Sequence, residues 1–200
     1  MGAGMPAKTY NMSQFSALIV DGDTHAVEIL SGMLHAFGLH QQTAAPTGAD
    51  AMTKLSGVGS FDLVLCESDL TDMPGADFVR QFRRQPDSVK RFAPIIVLTG
   101  HTPLSNVSAL RDCGAHCVVK KPISPAILFD RIVWAAESGR SFVETDSYVG
   151  PDRRFRNVPP ADGVWRRASD LTSSVGDASE PNLSQAEIDS FLKPMKVSIE

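Results

Sequence analysis

The chain has 200 residues, room for one domain of ordinary size, about 100 to 150 residues, plus a further segment at its C-terminal end. Nineteen Lys and Arg against 23 Asp and Glu leave a net charge of −4; the charges are mixed along the sequence, which gives no global field for nucleic acid or a membrane surface and no basic run of the kind that grips a phosphate backbone. Apolar runs such as ALIV and IIVL fall far short of the roughly 18 residues of a membrane span, and the first residues lack a charged flank before an apolar signal core, so a cytoplasmic protein without membrane contact is expected.

Short apolar runs alternate with longer amphipathic ones, the pattern of an α/β fold around a parallel sheet. After a flexible N-terminus (1–15), SALIVD (Ser16 to Asp21) reads as the first strand. His25 to Phe37 reads as a helix with Val27, Leu30, Leu34 and Phe37 on one face, ended by Gly38. A weaker strand follows around His40 to Ala44, then a helix from about Gly48 to Leu55. DLVLC, PIIVLT and CVVK read as the third, fourth and fifth strands. Helices are expected around Asp77 to Arg84 and Leu104 to Asp112, and a last one from Pro125 to about Glu137 with Ile127, Leu128, Ile132 and Trp134 available for burial. This order predicts a doubly wound five-stranded parallel sheet flanked by helices over residues 16–137. In such sheets the functional crevice lies beyond the carboxyl ends of the strands. That topology groups Asp21, Gly22 and Asp23 with Glu67, Thr99 and Lys121 around one cleft.

Cys66, Cys113 and Cys117 cannot all pair within one chain, and free buried thiols fit a reducing compartment. His116 lies between two of them, but the group lacks a second ligand pair. It reads as an exposed histidine beside two small core residues, and no metal site is expected there.

FDLVLCESDLTDMPG (Phe61 to Gly75), PIIVLTG and GAHCVVKKP together resemble the receiver domain of two-component response regulators. In that family a strand delivers a phospho-accepting aspartate, followed by apolar residues three and six positions on and a glycine eight on. Glu67 stands in the aspartate's place, with Leu70, Met73 and Gly75 at the three offsets, and Thr71 replaces the usual proline. Taking Asp69 as the acceptor instead would put Asp72 and Pro74 where apolar residues belong and Asp77 where the glycine belongs. The resemblance implies a flavodoxin-like fold, a phosphoryl group taken from a histidine kinase, and a divalent cation held by an acidic pair after the first strand. Here that pair is Asp21 and Gly22, and Gly22 has no side chain to offer. Asp23 occupies a position that usually points away from the cation. Thr99 matches the family's switch hydroxyl, Lys121 its phosphate-pairing lysine, and Pro122 the proline joined to that lysine by a cis peptide bond. Val118 stands where many members carry an aromatic that swings inward on activation.

Glutamate adds one methylene, which moves the carboxylate by roughly 1.5 Å, and in-line phosphoryl transfer tolerates such misplacement badly. Together with Gly22 this predicts a degenerate receiver: not an enzyme, with no cofactor beyond weakly bound Mg²⁺, acting as a phosphorylation-independent interaction module in two-component or chemotaxis signalling. Glu67 then either imitates the phosphorylated state or is an inert carboxylate paired with Lys121. Two alternatives stand beside this reading. One is a receiver still phosphorylated at Glu67; the other is a nucleotide second-messenger binding protein using arginines of the tail.

Residues 138–182 have the composition of a linker or of a strap over the domain. Within them Arg153, Arg154, Arg156, Arg166 and Arg167 accompany Phe155 and Trp165, a grouping that can stack on bases and grip phosphates. Asp146, Asp152, Asp162 and Asp170 largely offset the charge, and no Walker or Rossmann glycine motif is present. No helix-turn-helix follows the receiver, so DNA is not expected as a partner.

Residues 183–193 are sharper. Ser184 and Glu187 form an S-x-x-E capping box, Leu183 and Ile188 occupy the staple positions, and Ile188, Phe191 and Leu192 fall on one helical face. A helix this short is marginal alone and needs a groove. LSQAEIDSFL is similar to the N-terminal peptide of flagellar motor switch proteins, which in that family docks on the fourth-helix, fifth-strand, fifth-helix face of the phosphorylated chemotaxis regulator. The resemblance implies a receiver-like domain joined to a receiver-binding peptide that folds back on its own domain, swaps between two copies, or recruits another regulator. The alternative is a generic capped helix packed on its parent domain. Expected partners are a signalling protein such as another receiver or a histidine kinase, and a second copy of the chain.

Overall fold

β1 (Ser16–Val20), β3 (Leu63–Glu67) and β4 (Ile95–Thr99) are almost continuous runs of apolar residues, buried along nearly their whole length. Strands of that kind have no wet face and form the middle of a parallel sheet covered on both sides. β2 (Gln41–Ala45), with Gln41, Gln42 and Thr43, takes one edge, and β5 (Cys117–Lys120) takes the other, giving the all-parallel order β2-β1-β3-β4-β5. The computed structural model describes residues 10–57, 61–86, 90–138, 140–152 and 183–192, apart from the side chains of Leu104, Ser105, Phe191 and Leu192.

Helices α1 (Thr24–Ala36), α2 (Gly48–Gly57), α3 (Gly75–Arg83), α4 (Leu104–Asp112) and α5 (Pro125–Glu137) flank the sheet, within one or two residues of the bounds expected from periodicity. Alternate strand residues feed two apolar layers. One holds Leu18, Val20, Val64, Phe78, Phe82 and Val107; the other holds Ile19, Leu30, Leu34, Leu65, Leu128 and Ile132. The fold is thus the expected flavodoxin-like one. Among the described residues no helix is long and apolar enough to cross a membrane.

Two expectations are corrected. On α5, Leu128 and Ile132 are buried with Ala135, whereas Ile127 and Trp134 are 37% and 36% exposed. Residues 127 and 134 are two turns apart on a different face, and the Arg140 guanidinium covers the Trp134 ring at 4.5 Å. His116, expected exposed, is buried at 7% exposure. Its Nδ1 accepts from the Ile95 amide at 3.1 Å and lies 3.2 Å from an Arg83 terminal nitrogen. Burial, then the Arg83 charge, pushes its pKa down to about 3, so the ring is neutral at ordinary pH.

The cover over His116 comes from the segment expected to be linker or strap. β6 (Phe142–Glu144) and β7 (Val149–Pro151) form an antiparallel hairpin there. The Phe142 ring lies 4.7 Å from Phe92 and 5.7 Å from His116, with the Arg83 guanidinium 5.1 Å from its centre. Arg83 is fully buried and donates to the carbonyls of Gly114, Arg91 and Ala93 at 3.0, 2.5 and 2.9 Å. The arginines from Arg153 to Arg167, with Phe155 and Trp165, lie outside the described residues. The three cysteines are buried and none is in a disulfide, and burial pushes the Cys117 thiol up to about 12.

Candidate functional site

The carboxyl ends of β1, β3, β4 and β5 converge on one cleft, as the topology requires. Glu67 ends β3, the fully buried Thr99 ends β4, Asp21 follows β1, and Lys121 follows β5 with a cis bond to Pro122. The Lys121 ammonium pairs with Glu67 Oε2 and lies 3.2 Å from Asp21 Oδ2. Burial works against its charge, but Glu67 and then Asp21 outweigh that cost and hold the lysine pKa above its ordinary value. The other oxygen of Asp21 accepts from the Asp23 amide at 2.9 Å.

Asp23 does not join the cluster. It caps α1, its Oδ1 accepting from the His25 amide at 2.9 Å. At Gly22 a Cβ would meet the Pro46 carbonyl at 3.3 Å and the Thr71 methyl at 3.4 Å, a close fit that needs a shift of a few tenths of an ångström. A hard divalent cation such as Mg²⁺ needs a near-octahedral set of oxygens. Here the lysine ammonium bridges the two carboxylates, Gly22 offers no ligand and Asp23 is committed to the helix. This donor set does not suit that ion. Among the described residues no group of three or more His, Cys, Asp or Glu could hold a metal.

One member of the cleft was not singled out from sequence. Ser68 donates its amide to Glu67 Oε1 at 2.8 Å, and its hydroxyl lies 3.0 Å from the same oxygen, 2.8 Å from Asp69 Oδ2 and 2.9 Å from Thr99 Oγ1. Thr99 in turn donates to the His101 carbonyl at 2.9 Å and accepts from the His101 amide at 3.1 Å. The turn that presents Ser68 depends on Gly75, whose amide donates to the Ser68 carbonyl at 2.7 Å. A Cβ on Gly75 would stand 2.2 Å from the Glu67 carbonyl oxygen.

A second constellation lies on the β5 edge. α6 (Gln185–Leu192) starts at the expected capping box: Glu187 Oε2 accepts from the Ser184 amide and hydroxyl, both at 2.7 Å, and Ser184 Oγ accepts from the Glu187 amide at 3.3 Å. Leu183 donates its amide to the Thr102 carbonyl at 2.7 Å, and its own carbonyl accepts from Thr102 Oγ1 at 2.9 Å and Lys120 Nζ at 3.2 Å. The Gln185 amide group spans the exposed rim of β5, accepting from the Lys120 amide at 2.6 Å and donating to the Val118 carbonyl at 3.2 Å. It thereby satisfies the edge strand as a further strand would. Asp189 pairs with Arg131 of α5, and Ile188, fully buried, joins the apolar layer that holds Val107, Leu110 and Val118. Phe191 and Leu192 are helical in backbone; their side chains lie outside the described residues. Gln185, Asp189, Thr102 and Arg131 carried no signal in the sequence, because polar residues on a short helix read as its wet face until the edge strand beneath it is known.

Comparison with known proteins follows this layout. The family model for the response regulator receiver domain matches residues 17–133. Sensory/regulatory protein RpfC of Xanthomonas campestris pv. campestris is 25% identical over 111 residues, a stretch that is 56% of this chain and 15% of that protein. The chain therefore spans only a small part of the curated relative it matches. Among solved structures it is similar to the chemotaxis protein CheY4 of Vibrio cholerae, with 26% identity and a TM-score of 0.55 over 60% of this chain and 98% of that one. It is also similar to the receiver domain of a signal transduction histidine kinase from Syntrophus aciditrophicus, with 25% identity and a TM-score of 0.56 over 67% and 99% of the two chains.

Proposed function

Because the chain belongs to the response regulator receiver family, we propose that it is a degenerate member, a phosphorylation-independent interaction module in two-component or chemotaxis signalling. The observation that carries this reading is the Lys121 ammonium held between Glu67 and Asp21. The lysine that would meet an incoming phosphoryl group is already engaged by a resident carboxylate, and Gly22 adds no acid with which to gather a cation. The protein is then a cytoplasmic non-enzyme that binds Mg²⁺ weakly at most. Of the two roles open to Glu67, the carboxylate paired with Lys121 is the one its contacts support, while imitation of the phosphorylated state would act through its contact with Ser68, whose hydroxyl also lies beside Thr99.

The contact surfaces in this reading are α4, β5 and α5 with the C-terminal helix, and the partners are a histidine kinase or another signalling protein. The test is incubation of the purified chain with Mg²⁺ and acetyl phosphate, followed by intact mass measurement. No mass gain is expected. Gain of one labile phosphoryl group would overturn the proposal in favour of an active receiver with Glu67 as acceptor.

A further inference from the structure

α6 lies on the surface that the proposed function assigns to partners. With the residues just before it, it contacts Thr102 ahead of α4, Val118 and Lys120 of β5, and Arg131 of α5, and Ile188 enters the apolar layer that holds Val107 and Leu110 of α4. One helix of eight residues thereby covers part of all three elements, and the cover is the chain's own C-terminal segment.

The seating is built so that it can open. The five-stranded sheet and the helices that flank it are complete without α6. A helix this short does not persist alone in water and owes its form to the seat. Among the described side chains of residues 183–190, Ile188 is the one fully buried. The Arg131–Asp189 pair leaves 26% and 22% of its two side chains exposed, which weakens it. Among the described residues, Nε of the same guanidinium is buried without a hydrogen-bond partner, a cost that subtracts from the pair. The Lys120 amide and the Val118 carbonyl belong to an edge strand, so departure of α6 returns them to solvent and strands no polar group in the core.

We infer that α6 is an autoinhibitory cover: seated on its own chain it closes the face made by α4, β5 and α5, and its release opens that face and frees the helix in one step. The inference rests on reading this face as the contact surface of the proposed function, and it does not depend on whether Glu67 accepts a phosphoryl group. Anything that binds the open face then does so with an affinity lowered by the fraction of chains in which the seat is open.

The test is competition for the seat. A fluorescent peptide of residues 182–193 of this chain is the probe, and its binding to full-length chains is read by anisotropy. The unaltered chain, its seat filled, should take the peptide weakly. An Ile188→Asp chain, whose own helix cannot enter the apolar layer, should take it about 100-fold more tightly, the factor expected for a cover seated about 99% of the time. An Asp189→Arg chain, which sets like charges against Arg131, should fall between the two. The same peptide carrying Ile188→Asp should bind none of the three chains. Equal affinity for the unaltered chain and both variants would overturn the inference, because the seat would then be open without release of α6. Absence of binding to both variants would also overturn it, since α6 would then be a fixed part of the fold. If Ile188→Asp abolishes protection of the Val64 amide in the sheet centre, the comparison passes to Asp189→Arg: several-fold tighter binding than the unaltered chain supports the cover, and equal binding overturns it. None of these outcomes bears on Glu67. A chain that releases its cover as expected and also gains a phosphoryl group from acetyl phosphate would keep this inference and lose the phosphorylation-independent reading.

Discussion

Ser68 Oγ lies 2.9 Å from Thr99 Oγ1, a contact between two buried hydroxyls that joins the acceptor position to the turn beneath α6. The Ser68 hydroxyl has one proton and three oxygens within reach, on Glu67, Asp69 and Thr99. Thr99 is bonded to both backbone groups of His101, and the next residue, Thr102, holds Leu183. A carboxylate at position 67 is thus linked to the C-terminal helix through two hydroxyls and one short loop.

Ser68→Ala removes the middle of that connection while leaving its backbone amide on Glu67. Loss of a hydrogen-bonded buried hydroxyl should cost roughly 1–2 kcal/mol of global stability. It should also speed hydrogen exchange at the Leu183 amide more than at the Val64 amide in the sheet centre. Equal acceleration at both sites would show that Ser68 serves stability alone and carries nothing to α6.

Gly75→Ala tests the turn behind the cleft. The added methyl would stand 2.2 Å from the Glu67 carbonyl oxygen and 3.0 Å from Ser68 Cα, so backbone must move. The expected cost is roughly 2–3 kcal/mol by urea denaturation. Displacement of Glu67 should also weaken its hold on Lys121, and the lysine ammonium resonance should then titrate at lower pH than in the unaltered chain. An unchanged lysine titration would place the strain elsewhere.

His116 sets a pH dependence whose sign follows from its burial. In the unfolded chain the imidazole takes a proton near its ordinary value of 6.5, whereas in the folded protein it does so only at about 3. Between those values the unfolded state binds more protons, so stability is complete above the upper value and declines as pH falls toward the lower one. The expected loss is about 2 kcal/mol by about pH 5. His116→Asn keeps an acceptor for the Ile95 amide and removes the titration; denaturation midpoints at neutral and acidic pH should then differ less than in the parent. An identical slope in the variant would assign the acid sensitivity to other groups.

The central strands were legible because strands buried on both faces admit only apolar residues, and ALIV, LVLC and IIVL show this directly. The cleft was legible for a related reason: once the order of strands and helices is known, topology alone brings Asp21, Glu67, Thr99 and Lys121 to one end of the sheet. The hairpin was not, since strands of three residues, one ending in Pro151, show no period. His116 was misjudged with it, because its cover comes from Phe142, distant in sequence. Ser68 and Gln185 escaped notice for another reason. Their importance lies wholly in partners across space, a threonine on the next strand and the rim of an edge strand, and no spacing along the chain encodes either.

Restoring the receiver residues is the most demanding test of the degenerate-site reading. Glu67→Asp shortens the side chain that now holds Lys121, and Gly22→Asp supplies a second acid beside Asp21. The new Cβ at position 22 meets the Pro46 carbonyl at 3.3 Å and the Thr71 methyl at 3.4 Å, a fit that needs movement of only a few tenths of an ångström. With Thr99 and Lys121 in place, the doubly changed chain should gain one acid-stable, base-labile phosphoryl group from acetyl phosphate and Mg²⁺, visible as an intact-mass increase. Neither single variant should do so: Gly22→Asp alone leaves Glu67 on the lysine, and Glu67→Asp alone leaves the cation one carboxylate short. Phosphorylation of the Glu67→Asp variant alone would show that Gly22 is no barrier and that the glutamate by itself silences the site. Failure of the double variant would show that the site is remodelled beyond positions 22 and 67.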